Sequence, residues 1–366
     1  MELTKNSRIA VVCRGGPENG PFSAQALCTL QQGFAKHGLR VSGIYAVSGS
    51  SPTALLGCIR EEERLCDVWF NLKPKDIIGD GCRKKGRVLI KLYRYGYALS
   101  NRFLIDLLYR HADKDCLDRI FSPEAILAKV AAVDYLTTEQ VVFSNKVPEH
   151  RKLFVLGVVA SMGLIPWFPP VTIDGPVASN LIKKTSLDFN SVLLVDGGYR
   201  GGLLLEEAIR ESVGYDLILV VDIHGLKVRE IGLREGYNAA SRVERAINII
   251  SNTNDLLELS LVERINEGIE IKAMLEKLFA RAEITGPLAD EISLLIKRMD
   301  EGRLRLGDKH AAKIEIVSNP ESYHPFDFTK FTQAEVACLM RAGHNAALKT
   351  LRRIGLSTDG IPVIKP

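Results

Sequence analysis

Short apolar runs alternate with segments of helical periodicity in the first part of the chain. Residues 8–13 form an apolar run that ends at a glycine-rich turn, which is typical of a buried strand. Apolar residues then recur at helical spacing over 21–37, and Gly38 follows as a helix C-cap would. A second strand is predicted over 41–47 and a small-residue helix over about 52–60. This order of elements predicts a mostly parallel central sheet flanked by helices.

The same alternation continues beyond residue 125. Strands are predicted over 126–133, 140–144, 191–195, 216–222 and 313–317, and helices over about 237–298 and 333–353. No repeat and no clear linker interrupts the pattern. We therefore expect a single domain over 1–366, with a catalytic α/β core at 1–225 and a mainly helical C-terminal extension at 226–366 packed on that core.

Composition narrows the class of protein. The chain has 366 residues, 46% hydrophobic and 25% charged, with a formal net charge of +4, which is ordinary for a globular protein and gives no support for nucleic-acid binding. We expect no signal peptide, because the N-terminus lacks a long apolar run, and no membrane-spanning helix, because prolines break the longest one. Seven scattered cysteines without zinc spacing predict a reducing, cytoplasmic compartment, and we expect no metal and no cofactor.

A serine-rich turn lies between the second strand and the helix that follows it. Its pattern Gly49-x-Ser51-x-Thr53 is similar to the strand–turn–helix elbow that exposes a nucleophilic serine, so Ser51 is the candidate nucleophile. The alternative is that Ser51 only caps the helix, since serine is a preferred N-cap residue. Pro52 has no N–H, so the donor that usually follows the nucleophile has to come from elsewhere.

A glycine-rich loop follows the first strand. Gly15, Gly16 and Gly20 allow backbone N–H groups to approach a ligand, and the loop precedes a helix N-terminus that favours negative charge. The loop fits neither the dinucleotide fingerprint nor the phosphate loop that ends in G-K-[ST]. It is either an oxyanion or phosphate cradle or a plain strand–helix turn.

A base for the serine is predicted at the end of a later strand. Asp196 is followed by Gly197 and Gly198, which leave its carboxylate uncrowded, and an aspartate within hydrogen-bond reach can accept a proton from serine. The alternatives are a plain turn at this point and a lipase-order triad of Ser51, Asp196 and His224.

The three motifs, in this order and at these positions relative to the strands, resemble the patatin-like phospholipases. That family carries a Gly-rich loop, a G-x-S-x-G turn and a D-G-[GA] motif, and Ala160-Ser161 ahead of a proline-rich stretch is similar to another family segment. The resemblance covers about residues 8–225. It implies a three-layer α/β/α fold, a Ser–Asp dyad without a catalytic histidine, and hydrolysis of lipid esters.

The resemblance also implies roles for individual residues. Ser51 would attack the ester carbonyl, Asp196 would take and return the proton, and Gly15 and Gly16 would donate N–H groups to the oxyanion. The predicted substrate-binding positions are Asn19, Gly20, Gly49, Gly197 and Gly198.

The chain departs from the family pattern at Pro17, Asn19 and Thr53, where the family has glycine, a basic residue and glycine. These departures keep open the alternative of a catalytically weak lipid-binding or regulatory protein.

A basic segment of the chain is the candidate region for membrane contact. Between Arg83 and Arg94, lysines and arginines alternate with tyrosine and aliphatic residues, a pattern typical of helices on anionic membrane surfaces. The alternative is a solvated basic helix face. The partners expected from the sequence are thus a lipid or phospholipid substrate and peripheral membrane contact, with no nucleic acid.

Overall fold

The computed structural model describes residues 3–78, 93–175, 181, 191–211, 214–226, 239–281, 287–301, 306, 311–320 and 330–363. Most of the basic segment between Arg83 and Arg94 lies outside the described residues. The strands of the described part are β1 Ile9–Cys13, β2 Val41–Val47, β3 Leu127–Asp134, β4 Gln140–Ser144, β5 Val171–Asp174, β6 Ser191–Asp196, β7 Leu217–Val221 and β8 Lys313–Val317.

Helices fill the segments between the strands. Over the described residues they are α1 Asn19–Lys36, α2 Ser51–Gly57, α3 Glu62–Phe70, α4 Pro74–Ile78, α5 Asn101–His111, α6 Lys114–Ile120, α7 Phe154–Ser161, α8 Leu205–Ile209, α9 Ala239–Arg281, α10 Pro287–Glu301 and α11 Gln333–Arg353. Among these described helices, none is both long and apolar enough to cross a bilayer.

The strands join into one mostly parallel sheet, as the sequence predicts. The order is β5-β6-β3-β2-β1-β7-β8, with β4 paired to β3. β1 is central and runs parallel to both β2 and β7, and β3 and β8 extend the parallel part on either side. β6 is antiparallel to β3. The fold class expected from the sequence is therefore confirmed.

Alternating side chains of β1 show why helices cover both faces of the sheet. Ile9, Val11 and Cys13 pack into one apolar cluster with residues of α1, whereas Ala10 and Val12 belong to a second cluster on the opposite face. Successive side chains of a strand point to opposite faces, so a fully apolar strand needs cover on both. Cys13 and Cys28 are buried free thiols.

The C-terminal segment contributes to the sheet and to its cover. β8 pairs in parallel with β7, and α11 packs closely along α1. A Cβ at Gly343 would lie 2.2 Å from the Phe22 carbonyl oxygen, so only glycine permits this approach of the two helices. Thr29 and His344 add a buried hydrogen bond of 2.9 Å between them. The predicted division at residue 225 therefore does not coincide with an edge of the sheet, and the domain assignment stays a prediction.

Candidate active site

The turn after β2 has the geometry of a nucleophile elbow. β2 ends at Val47, and Ser48 follows with a φ of +54°, a left-handed conformation that non-glycine residues rarely adopt. A short 3₁₀ turn over Ser48–Ser50 then leads into α2. A strained strand-to-helix turn of this kind projects the serine hydroxyl out of the sheet in α/β hydrolases.

Strand register brings Asp196 to this serine. On β3, Ala131 pairs with Val47 and the next residue, Ala132, pairs with Asp196. Ser48 follows Val47 directly, so it lies beside the carboxylate. The Ser48 hydroxyl donates a hydrogen bond of 2.8 Å to Asp196 Oδ2.

The residues after Asp196 set its environment. A Cβ at position 197 would lie 2.3 Å from the Ala131 carbonyl oxygen, so Gly197 allows the chain to pass close to β3. The Gly198 N–H donates to Asp196 Oδ1 at 2.8 Å. Burial raises the pKa of Asp196 to about 7, against the lowering effect of the hydrogen bonds from Gly198 and Ser48. A carboxyl with a pKa near neutral is suited to general base catalysis.

The structure does not place Ser51, the serine predicted from the sequence, beside Asp196. Ser51 is the first residue of α2 and is completely buried, and its hydroxyl donates to Ser161 Oγ at 2.8 Å. Ser161 Oγ also accepts the Ser48 N–H at 2.8 Å. The serine that pairs with Asp196 is thus Ser48 and not Ser51. The strand boundary at Val47, already visible in the sequence, was the signal for this, because an elbow serine directly follows its strand.

With Ser48 at the elbow, a backbone donor next to the serine is present. The following residue is Gly49, which has an N–H. The missing N–H of Pro52 therefore does not deprive the serine of a neighbouring backbone donor. A Cβ at Gly49 would lie 2.3 Å from the Gly16 carbonyl oxygen, which shows how closely the glycine loop packs on the elbow. Within the described part of the chain, the N–H groups of Gly16 and Gly49 have no protein acceptor.

Gly15 does not match its predicted role as an oxyanion donor. Its N–H donates to the Gly202 carbonyl oxygen at 2.8 Å and is therefore engaged inside the protein. Gly20, in the first turn of α1, packs against the Trp69 ring and the Gly49 carbonyl oxygen rather than lining the cavity. Both residues shape the loop.

Asn19 is likewise turned into the protein. It is 1% exposed, and its side-chain amide donates to the Gly15 carbonyl oxygen at 2.9 Å and to Asp222 at 3.2 Å. Asn19 therefore does not line the cavity, and its contact with substrate stays a prediction. Of the five predicted substrate-binding positions, Gly49 is the one that lines the cavity described below.

The triad alternative through His224 is not assembled. His224 Nε2 lies 3.1 Å from Glu18 Oε1, and both side chains are largely buried, whereas the Asp196 carboxylate is bonded to Ser48 and Gly198. Thr53, one of the departures from the family pattern, lies inside α2 and shares a hydrogen bond of 2.9 Å with Ser23. It is therefore not part of the elbow.

A largely apolar cavity opens beside Ser48 and Asp196. Its empty volume is about 770 Å³, a figure that includes space open to solvent. Ser48 and Asp196 lie in its wall, and the remaining wall residues include Trp69, Leu72, Leu104, Leu107, Leu108 and Phe168. An apolar cavity with a few convergent polar groups suits a ligand that has a hydrocarbon chain and one polar, reactive group at its end. Among the described residues, no cluster of His, Cys, Asp and Glu could hold a metal ion.

Comparison with known proteins finds one matching family model and a similar solved structure. The model of the family described as patatin-like phospholipase matches residues 11–209, which is more than half of the chain. Among curated proteins no sequence matches significantly. One similar solved structure is the crystal structure of VipD from Legionella pneumophila. The alignment covers 96% of this chain and 68% of the VipD chain, with 10% sequence identity and a TM-score of 0.43.

Proposed function

Because the chain belongs to the patatin-like phospholipase family, we propose that it hydrolyses carboxylic esters of lipids or phospholipids, with Ser48 as nucleophile and Asp196 as general base. The observation that carries this proposal is the 2.8 Å hydrogen bond between Ser48 and Asp196 at the wall of the apolar cavity. The cavity would receive the acyl chain and present its ester carbonyl to Ser48.

The proposed reaction passes through an acyl-enzyme. Ser48 Oγ attacks the carbonyl carbon while its proton moves to Asp196, and the N–H groups of Gly16 and Gly49 stabilise the tetrahedral oxyanion. Collapse of this intermediate breaks the ester bond, and Asp196 returns the proton to the departing alcohol. A water molecule then repeats the sequence on the acyl-enzyme, with Asp196 accepting its proton, and releases the fatty acid. The pKa of about 7 at Asp196 supports this double role.

Turnover of a soluble p-nitrophenyl ester and of phosphatidylcholine tests the proposal. Ser48→Ala and Asp196→Asn should each lower kcat by at least about 10³-fold, because each removes an essential member of the dyad. Ser51→Ala is the matched control, since it removes a neighbouring buried hydroxyl that does not contact Asp196 and should retain most of the activity. A fluorophosphonate probe should label the wild type and Ser51→Ala but not Ser48→Ala. Wild-type turnover by Ser48→Ala would refute the assignment.

The second candidate is a catalytically weak lipid-binding or regulatory protein. Pro17 in the glycine loop and the inward-turned Asn19 motivate it, because neither supplies a donor to the oxyanion. Saturable binding of a long-chain fatty acid, combined with neither turnover nor probe labelling, would favour this candidate over the first.

Peripheral membrane contact is part of the proposal. α5 turns Leu104, Leu107 and Leu108 towards the cavity, while its residues Phe103 and Tyr109 are exposed. A helix that lines the acyl cavity on one face and presents aromatic side chains on the other suits an enzyme that draws lipid from an interface. Sedimentation with anionic vesicles should recover the wild type and recover less of the double variant Phe103→Ser, Tyr109→Ser. Equal recovery would remove α5 as the contact.

A further inference from the structure

A buried arginine anchors the glycine loop, although it takes no part in the proposed reaction. Arg14 immediately precedes Gly15 and is 8% exposed. Its guanidinium donates from Nε to Asp255 at 2.7 Å, from Nη1 to Asp222 at 3.2 Å and from Nη2 to Asn252 at 3.1 Å. These partners are distant in sequence: Asp222 follows β7, and Asn252 and Asp255 lie on α9.

Asp255 bonds the side chain of Arg14 directly and is linked to the backbone of the next residue, Gly15, through Gly202. Its Oδ2 accepts from Arg14, and its Oδ1 accepts the Gly202 N–H at 2.7 Å. The Gly202 carbonyl oxygen in turn accepts the Gly15 N–H at 2.8 Å. The start of the loop is therefore closed into a ring of hydrogen bonds that runs through one buried carboxylate.

Asp222 holds the other end of the loop. Its Oδ2 accepts from Arg14, and its Oδ1 accepts from Asn19 at 3.2 Å. Asn19 also donates to the Gly15 carbonyl oxygen at 2.9 Å and accepts the Ile223 N–H at 2.9 Å. The loop is thus fixed on both sides of Gly16, whose own N–H has no acceptor in the described part of the protein.

This network is a weak source of stability. It buries two carboxylates around one guanidinium, and an apolar core of the same volume is often as stable as a buried ion pair or more so. Its bonds instead determine the position of a loop next to the reacting atoms. Displacing a reacting group by about 1 Å can lower a rate by about 10²-fold. Hydrogen bonds that fix the position of the loop therefore affect the rate directly.

We propose that Arg14, held by Asp222 and Asp255, is a positioning residue that keeps the Gly16 N–H aimed at the oxyanion formed on Ser48. The inference rests on the proposed esterase function and deepens it. It predicts that removing hydrogen bonds of Arg14 weakens binding of the tetrahedral oxyanion while leaving binding of the acyl chain in the cavity unchanged.

The test compares two kinds of ligand on full-length Arg14→Lys and Asp255→Asn. An alkyl boronic acid forms a tetrahedral anion on the serine, whereas a primary alcohol of the same chain length occupies only the cavity. In both variants kcat on a soluble p-nitrophenyl ester and the affinity for the boronic acid should fall together by about 10–10²-fold. KM and the affinity for the alcohol should stay within about twofold, on the expectation that an unchanged cavity binds the acyl chain as before.

Arg210→Lys is the matched control, because Arg210 forms an exposed ion pair with Glu206 away from the loop, and it should leave all four quantities unchanged. A purely structural role for Arg14 would lower boronic acid and alcohol binding in parallel with the folded fraction, and that result would overturn the inference. Wild-type kcat and boronic acid affinity in both variants would overturn it too, while the loss of activity in Ser48→Ala would leave the proposed function intact.

Two further results would also decide between the inference and its alternatives. If both variants fail to fold, Asn252→Ala removes only a neutral acceptor of Arg14 and should still lower kcat and boronic acid affinity about 2–5-fold, in line with the loss of one hydrogen bond. An unchanged Asn252→Ala enzyme would then overturn the inference. A wild type that neither turns over ester nor reacts with a fluorophosphonate would remove the proposed function and the inference together.

Discussion

Ser48 donates a hydrogen bond of 2.8 Å to Asp196, and the two residues meet because adjacent residues of β3 pair with their strands. Ala131 pairs with Val47, the residue before Ser48, and Ala132 pairs with Asp196. The proposed dyad therefore depends on strand register, and a shift of β6 along β3 by one residue would separate the hydroxyl from the carboxylate.

The pH dependence of hydrolysis should report on Asp196. Its pKa is raised to about 7 by burial, and the base has to be deprotonated to accept the serine proton. We expect kcat/KM for a soluble ester to rise about tenfold per pH unit below pH 7 and to level off above it. A plateau that already begins near pH 5 would show that another group limits the reaction.

Replacement of Asp196 by asparagine should stabilise the fold at alkaline pH. The folded pKa of about 7 exceeds the ordinary value of 3.8, so the folded protein retains a proton that the unfolded chain releases, and stability falls as pH rises between these values. Asparagine removes the buried charge. Asp196→Asn should be more stable than wild type by on the order of 4 kcal/mol at pH 8, with little difference at pH 4. Thermal unfolding at both pH values checks this, and a difference that is equal at the two pH values would contradict it.

Gly49→Ala should damage catalysis more than it damages folding. The new Cβ would meet the Gly16 carbonyl oxygen at 2.3 Å and push the glycine loop away from the elbow. Loss of one oxyanion donor costs about 2.7–4 kcal/mol in the transition state, so kcat should fall about 10²–10³-fold. Gly355→Ala is the control, because it strains a left-handed glycine with no atom near its Cβ and should leave kcat unchanged. Comparable kcat values for Gly49→Ala and wild type would argue against Gly49 as a donor.

Filling the cavity should change the preferred chain length. Leu107 lines the cavity from α5 and is 6% exposed. Leu107→Trp should lower kcat/KM for p-nitrophenyl palmitate at least about tenfold relative to p-nitrophenyl acetate, because the added ring occupies volume that a long chain needs. Arg102→Trp, on the exposed side of the same helix, should keep the wild-type ratio. An unchanged ratio in Leu107→Trp would place the acyl chain elsewhere.

Local patterns determined most of the elements of this protein. The apolar runs located β4 and β8 at their observed bounds, and the helical spacing located α11, because burial on one or two faces imposes a period that is visible in a single segment. Asp196 was identified in the same way, from its place at the end of an apolar strand and before two glycines. These properties depend on residues close together in the chain.

Contacts between distant segments decided the rest. Three serines occur within the four residues after Val47, and residue type alone does not show which of them meets Asp196. Ser48 is the partner of Asp196 because β3 aligns the ends of β2 and β6. The same holds for Gly15, whose N–H is taken by Gly202, and for Arg14, whose partners lie more than 200 residues away. Hydrogen bonds across such separations leave no periodic trace in the sequence, so only the folded chain shows which serine meets Asp196 and which amides are bonded inside the protein.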